Sequence, residues 1–264
     1  MYTIKPESEY SLLDSVGYKY FYNQFQQNNT ITGLIIGIVP ELEQIIVKLS
    51  NTVTAVLPWK EATLYNFSWF ENSIIPKEIS SLFLKKIRCK ITSCSPSNIT
   101  LSRKANMLMA WEKAIKPNIY LNAKIVAAME SGIFYDVGEG LTAFCRYKDY
   151  SLCRFSKDDI EIGATDYVSI QNISENYRLD ISRKMADSSN YYQYKQFDIV
   201  KIRIANPIFK NGILTGAFAE IAPNVSGILD MSTENYIQTS SSTIVQAIII
   251  KIDQRNKKIK LRLI

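Results

Sequence analysis

Histidine is absent from the 264 residues. Its absence removes the commonest general base, the usual metal-ligating nitrogen and every Ser–His or Cys–His pair. A non-enzymatic protein without metal or cofactor is therefore expected. Cysteine is scarce, four in all, with Cys89 and Cys94 five apart and Cys145 and Cys153 eight apart. Neither spacing is the C-x2-C of a zinc site, so idle or buried thiols in a reducing, cytoplasmic setting are expected. Long apolar runs are missing too: the strongest, IVQAIIIKI (244–252), stops at strand length, well short of the roughly 18 residues of a membrane span. The opening MYTIKPESEY has neither the basic start nor the apolar core of a signal peptide. DVGEGLT (136–142) matches no phosphate-loop pattern and reads as a hairpin turn.

The chain does have an ordinary hydrophobic fraction, 47%, which argues for folded domains. Its net charge of +6 fits an anionic partner without demanding one. The excess is uneven, at +3 over residues 1–115, −2 over 116–190 and +5 over 191–264.

A repeat organises the chain. Leu101-Ser102-Arg103-Lys104 returns as Ile181-Ser182-Arg183-Lys184, 80 residues on, and the chain closes on a third basic strand, KKIKLRLI (257–264). Each stamp ends a similar pass. A β-branched strand comes first (31–39, 121–129, 197–205). A strand, tight turn and strand follow (43–59, 131–147, 216–231). After a polar segment come a fourth strand (85–94, 166–174, 242–253) and the stamped fifth. Five strands in some 70–80 residues with no long helix between them argue for a mainly β protein of three tandem five-stranded barrels of the OB type. The expected division is an N-terminal helical segment over 1–29, a first barrel with a linker helix over 30–115, a second barrel over 116–190 and a third over 191–264. Residues 7–25 place Tyr10, Leu13, Val16, Tyr20 and Phe21 at helical spacing, and SRKANMLMAWEKA (102–114) starts a helix on Ser102 as N-cap. No helix follows the second stamp, so that junction is expected to be looser. The stamp arginines and lysines read as junction charges rather than as a binding site.

These residues resemble the RNA-binding repeat of the ribosomal protein S-one family. GAFAEIAPNVSGILDMS (216–232) is similar to its strand–turn–strand signature, VQAIIIKIDQRNKKIKLRLI (245–264) to its closing strands, and LSRKANMLMAWEKA (101–114) to its strand end and Trp-containing linker helix. The resemblance covers residues 30–264. It implies OB-fold barrels, a single-stranded RNA partner, and a translation-related place on a messenger RNA or the ribosome. At 264 residues the chain is short for that protein, and a stand-alone member or paralogue is expected. Family repeats often carry two aromatics on the second strand and a histidine on the third. Here the second pass keeps Phe134, with Ser131 and Arg146 at the other positions. The third keeps Phe218, with Thr215 and Asp230, and the first has Ile46 and Pro58.

Single-stranded nucleic acid needs π-faces for stacking and cations along the phosphates. Residues two apart on a strand share a face, so Phe144 and Arg146 point the same way. The register implied by the resemblance brings Phe134 beside them, with Tyr147 and Lys148 at the edge. The alternative is that Phe144 faces the core and Arg146 is solvated. In the third pass Phe218 takes the matching position. Glu220 and Asp230 on its face would repel phosphate, and Lys257, Lys258, Lys260 and Arg262 either contact phosphate or guard a solvated strand. In the first pass Lys48 and Trp59 are the contact candidates, although Trp59 equally caps the barrel or packs on the linker helix. The apolar face of Ile46, Val56 and Pro58 suits a protein partner, so an adaptor function stands as the alternative to RNA binding.

Overall fold

The computed structural model describes residues 4–151, 157, 160–185, 188–231 and 244–264. Cys153 and the first two residues of the 242–253 strand expected from the sequence lie outside them. The described residues form three closed five-stranded barrels. The first is built from β1 (Thr30–Val39), β2 (Gln44–Lys48), β3 (Thr54–Pro58), β4 (Lys86–Ser95) and β5 (Asn98–Ser102). The second comprises β6 (Tyr120–Met129), β7 (Gly132–Gly138), β8 (Leu141–Cys145), β9 (Thr165–Ile173) and β10 (Leu179–Ser182). The third comprises β11 (Ile199–Lys210), β12 (Ile213–Ala222), β13 (Val225–Asp230), β14 (Ile244–Asp253) and β15 (Lys258–Leu263). All three share one strand order, first-second-third-fifth-fourth, closed by the first against the fourth. In each the third and fifth strands run parallel, the wiring of a five-stranded Greek-key OB barrel.

Alternation of side chains writes the barrels into the sequence. Along β13, Val225, Gly227 and Leu229 are buried while Ser226, Ile228 and Asp230 are exposed. The same period puts Ile45 and Val47 of β2 into the first core with Leu57, Ile87 and Leu101, and Ile202, Ala217, Ile249 and Leu261 into the third. Pro207 lies inside β11 where the register slips between Ile204 and Pro207, at a bulge that tolerates a missing N–H.

Among the described residues four α-helices accompany the barrels: α1 (Tyr18–Gln26), α2 (Lys77–Ser80), α3 (Arg103–Ala114) and α4 (Tyr147–Tyr150). The linker helix α3 begins as expected, with Ser102 Oγ accepting from the N–H of Ala105 at 2.8 Å. The N-terminal helix is shorter than its spacing suggested. Before Gly17 the carbonyls are taken by the first barrel: Asn51 N–H donates to Asp14 O at 3.2 Å and Ser50 Oγ to Val16 O at 2.8 Å. Those tertiary bonds replace intrahelical ones, so the segment holds a single 3-10 turn at Glu7–Glu9 and an α-helix only over Tyr18–Gln26, which buries Phe21.

Two compact units result. One is Met1–Lys116 with Asp136–Thr142 and Ile173–Arg178; the other is Pro117–Tyr135 with Ala143–Asn172 and Leu179–Ile264. Each contains one stamp arginine paired with carboxylates. In the first, Arg103 is buried and forks onto Glu7, with Nη2 2.7 Å from Oε2 and Nε 3.1 Å from Oε1, while Nη1 donates to Ala62 O. Burial works against the charged guanidinium, but Glu7 beside it holds the pKa above its ordinary value. The turn DVGEGLT is indeed tight, and it is also docked. Gly140 (φ +79°) lies so close to Arg103 that a Cβ there would meet Nη2 at 2.2 Å. Glu139, at 1% exposure, accepts from Asn106 Nδ2 at 2.7 Å, Arg88 Nε at 3.4 Å and the Tyr10 hydroxyl.

The second unit repeats the device. Arg183 Nε donates to Asp166 at 2.9 Å and Nη1 to Glu220 at 3.1 Å. The Ser151 hydroxyl completes Glu220, and Tyr135 donates to Asp166 at 2.8 Å. The guanidinium pKa is raised by these carboxylates against the effect of burial. After the second stamp the described residues hold a 3-10 helix (Ser188–Gln193) in place of an α-helix, and this network links the second and third barrels.

Removing one partner of a buried pair strands the other charge. Arg103→Ala is expected to lower stability by about 3–5 kcal/mol in urea unfolding. Adding Glu7→Gln should recover part of that loss; no recovery would show that the guanidinium acts through packing alone.

Candidate nucleic-acid interface

In each barrel one outward position on the second, third and fifth strands falls into a lateral row. In the first barrel the row is Ile46, Val56 and Thr100. In the third it is Phe218, Ile228 and Lys260. In the second, Phe144 lies opposite Asp180, and the rings of Phe134 and Phe144 meet at 5.2 Å between centroids, tilted by 52°. One scaffold position thus carries an aliphatic pair, an aromatic pair and a mixed pair.

The aromatic pair depends on Gly132. A Cβ there would stand 2.7 Å from Cε2 and Cζ of Phe144 and 2.6 Å from the Cys145 carbonyl oxygen, and its φ is +151°. The Phe144 ring lies against bare backbone as a result. Both phenylalanines are half-buried, so neither is a core residue. Arg146 follows β8 directly, is exposed, and precedes the single turn of α4. Beside Phe144 opens a cleft of about 180 Å³, lined also by Arg146, Asp149, Gln171, Asn172, Asp180 and Ile181. Tyr147 is half-buried and donates its hydroxyl to Met129 O, which makes it a brace for the rim; Lys148 is exposed. The structure therefore brings Phe134, Phe144 and Arg146 together, with Tyr147 and Lys148 alongside.

The third barrel differs from expectation in its charges. Phe218 is exposed beside Ile228, next to a cleft of about 220 Å³ shared with Ala205, Asn206, Glu220 and Ser226. Glu220 and Asp230, expected to confront phosphate, are both neutralised. Glu220 is buried under Arg183 and Ser151, and Asp230 pairs with Lys260 at 2.8 Å. Lys258, Lys260 and Arg262 stand exposed at alternate positions of β15.

In the first barrel Lys48 is half-buried at the end of β2. Trp59 is 6% exposed and packs into the core cluster, so its ring offers no face for stacking. Ile46, Val56 and Pro58 are half-buried. The β3–β4 connection holds a feature absent from the sequence reading. Glu78 accepts from Ser68 N–H at 2.9 Å and Ser68 Oγ at 2.7 Å, and Lys77 N–H donates to Ser68 O at 2.7 Å. Burial tends to raise the Glu78 pKa, but the Ser68 bonds and the Lys77 charge leave it below the ordinary value. The clip displays Trp69, Phe70 and Ile74 to solvent.

Five lining groups, Asp149, Gln171, Asn172, Asp180 and Ile181, escaped sequence reasoning. The alternation of Leu179 and Ile181 inward with Asp180 outward was readable; its alignment with Phe144 needed the parallel β8–β10 register. Burial pushes the Cys145 thiol up to about 12 and raises that of Cys89. No helix of the described residues is long and apolar enough to cross a membrane.

No family model matches the chain. Among characterised proteins it is similar to 4-hydroxy-3-methylbut-2-enyl diphosphate reductase of Fusobacterium nucleatum subsp. nucleatum, 22% identical over 258 residues, which covers 90% of this chain and 29% of that protein. It is also similar to small ribosomal subunit protein bS1 of Chlamydia muridarum, 24% identical over 162 residues, 57% of this chain and 28% of that one. The chain thus spans less than a third of the length of these relatives. Among solved structures, a multidomain protein with nucleic acid binding domains from Streptococcus pneumoniae matches 90% of this chain and 73% of its own at 13% identity, with a TM-score of 0.33. The bS1 likeness and the three five-stranded barrels together support an S-one-like protein of OB-fold repeats.

Because Gly132 makes room for Phe144 from a left-handed backbone, Gly132→Ala is expected to cost about 1–3 kcal/mol in thermal unfolding. It should also weaken the nuclear Overhauser contacts between the Phe134 and Phe144 rings. An unchanged melting temperature with intact ring contacts would show that the glycine is dispensable.

Proposed function

We propose that the chain is a non-enzymatic RNA-binding protein that holds single-stranded RNA on its second and third barrels. The observation that carries this reading is the Phe134–Phe144 pair, half-exposed on one sheet face with Arg146 at its rim. Bases stack on aromatic faces with little regard to sequence, and a guanidinium can stack or meet phosphate. The third barrel extends the surface with Phe218 and with Lys258 and Arg262 of β15, in the stretch of the chain with the largest positive excess. The likeness to bS1 supports RNA as the nucleic acid and a cytoplasmic, translation-related setting, with messenger RNA or the ribosome as partner. The likeness to the reductase covers under a third of that protein, and no catalytic step is assigned to this chain.

A second reading applies to the first barrel alone. Its row is aliphatic, and the clip at Ser68–Glu78 displays Trp69, Phe70 and Ile74, the kind of anchors found at protein interfaces. The first barrel then serves as an adaptor while the other two hold RNA.

Fluorescence anisotropy with labelled single-stranded RNA of about 8–12 nucleotides tests the first reading. Binding should weaken steeply between about 50 and 200 mM salt. Phe134→Ala and Phe144→Ala should each weaken it by about 1–3 kcal/mol, and Arg146→Ala should lower the salt slope by about one. Ile46→Ala should leave binding unchanged. Absence of binding at low salt, or affinity indifferent to Phe134→Ala with Arg146→Ala, would contradict RNA binding at this face.

A further inference from the structure

We propose that the cleft of the second barrel selects a guanine base. This rests on the stacking reading above and adds a specificity to it. Asp180 lies directly across the parallel β8–β10 pair from Phe144, and both line the cleft with Asp149, Gln171 and Asn172. At the corresponding place the first barrel has Thr100 and the third has Lys260. The carboxylate is thus peculiar to the barrel that carries the aromatic pair.

Asp180 is half-buried, and neither it nor Arg146 is ion-paired among the described residues. An unpaired carboxylate beside a stacking platform repels phosphate. A base complements it by presenting hydrogen-bond donors, since an ionised carboxylate accepts and never donates. A backbone passing over Arg146 directs the stacked base edge toward Asp180, and the base that gains is the one presenting donors there.

The four bases differ sharply in this respect. Uracil offers one imino N–H between two carbonyl oxygens, which would face the carboxylate unfavourably. Cytosine and adenine each offer an amino group beside a bare ring nitrogen. Guanine alone places an imino N–H and an amino N–H side by side, matching both oxygens of one carboxylate. Single-stranded RNA is read on such Watson–Crick edges once its bases are splayed and stacked. The amides of Gln171 and Asn172 can reach the remaining polar atoms of the base. Gln171 Nε2 already donates to Ser169 Oγ at 3.0 Å, which ties that side chain to the sheet.

The test is anisotropy with a fluorescein-labelled uridine tract of about nine nucleotides, carrying one central guanosine, inosine, adenosine or cytidine. Guanosine should bind about ten-fold tighter than uridine, the scale of one bidentate base contact. Inosine, which lacks the amino group, should lose most of that gain without any change to the protein. Asp180→Asn should abolish the guanosine preference and tighten binding of the plain uridine tract, because a charge that repels phosphate is gone. Binding of the uridine tract that depends on Phe134 but shows no guanosine gain would overturn the guanine assignment and leave stacking intact. A guanosine gain that persists in Asp180→Asn, or in inosine, would overturn it too. Failure of every RNA to bind would remove both readings.

Discussion

A guanidinium paired with carboxylates at the closing end of a barrel, buried at Arg103 and half-buried at Arg183, is the constraint on which the rest of the structure depends. Burying a charge is costly unless it is paired and its hydrogens are satisfied. Each arginine therefore dictates what surrounds it. Arg103 requires Glu7, which pins the N-terminal segment to the first barrel, and it leaves space at Gly140 only for a residue without a side chain. Arg183 requires Asp166 and Glu220, one from its own barrel and one from the next. Small barrels bury limited apolar surface, and these paired charges join them into larger units while fixing which polar groups may face inward.

That constraint reaches the outward row of the third barrel. Glu220 sits two residues along β12 from Phe218, where a free carboxylate would oppose phosphate; held by Arg183 and Ser151 it does not. The three rows then divide the work. An aliphatic row in the first barrel suits protein, an aromatic pair with Arg146 in the second suits stacked bases, and Phe218 with the β15 cations in the third suits stacking along a phosphate chain. The repeat supplies a common scaffold, and the copies differ in character at this outward row.

Much of the fold was legible in the sequence because alternation is a local signal. Strands such as β13 announce their inward and outward residues, and Ser102 announces the start of α3. The signal fails where distant groups compete for the backbone. Residues 7–17 have helical spacing, but their carbonyls at Asp14 and Val16 are claimed by the β2–β3 turn. The site was legible to the same degree. Phe144 and Arg146 are two apart, and Phe134 followed from the implied register. Trp59 was ambiguous because its depth is set by the whole core cluster rather than by its neighbours. Asp180 was invisible as a site residue, since 36 residues separate it from the ring it lies beside and only the parallel pairing joins them.

The most direct measurement is photo-cross-linking of bound 4-thiouridine RNA to the intact chain, with the linked peptides identified by mass spectrometry. Cross-links concentrated in 132–148, with a second set in 213–230 and 258–263, are expected. Cross-links confined to the first barrel, or an absence of any to the Phe134–Arg146 stretch under conditions where the RNA is bound, would contradict RNA binding by stacking on the second barrel.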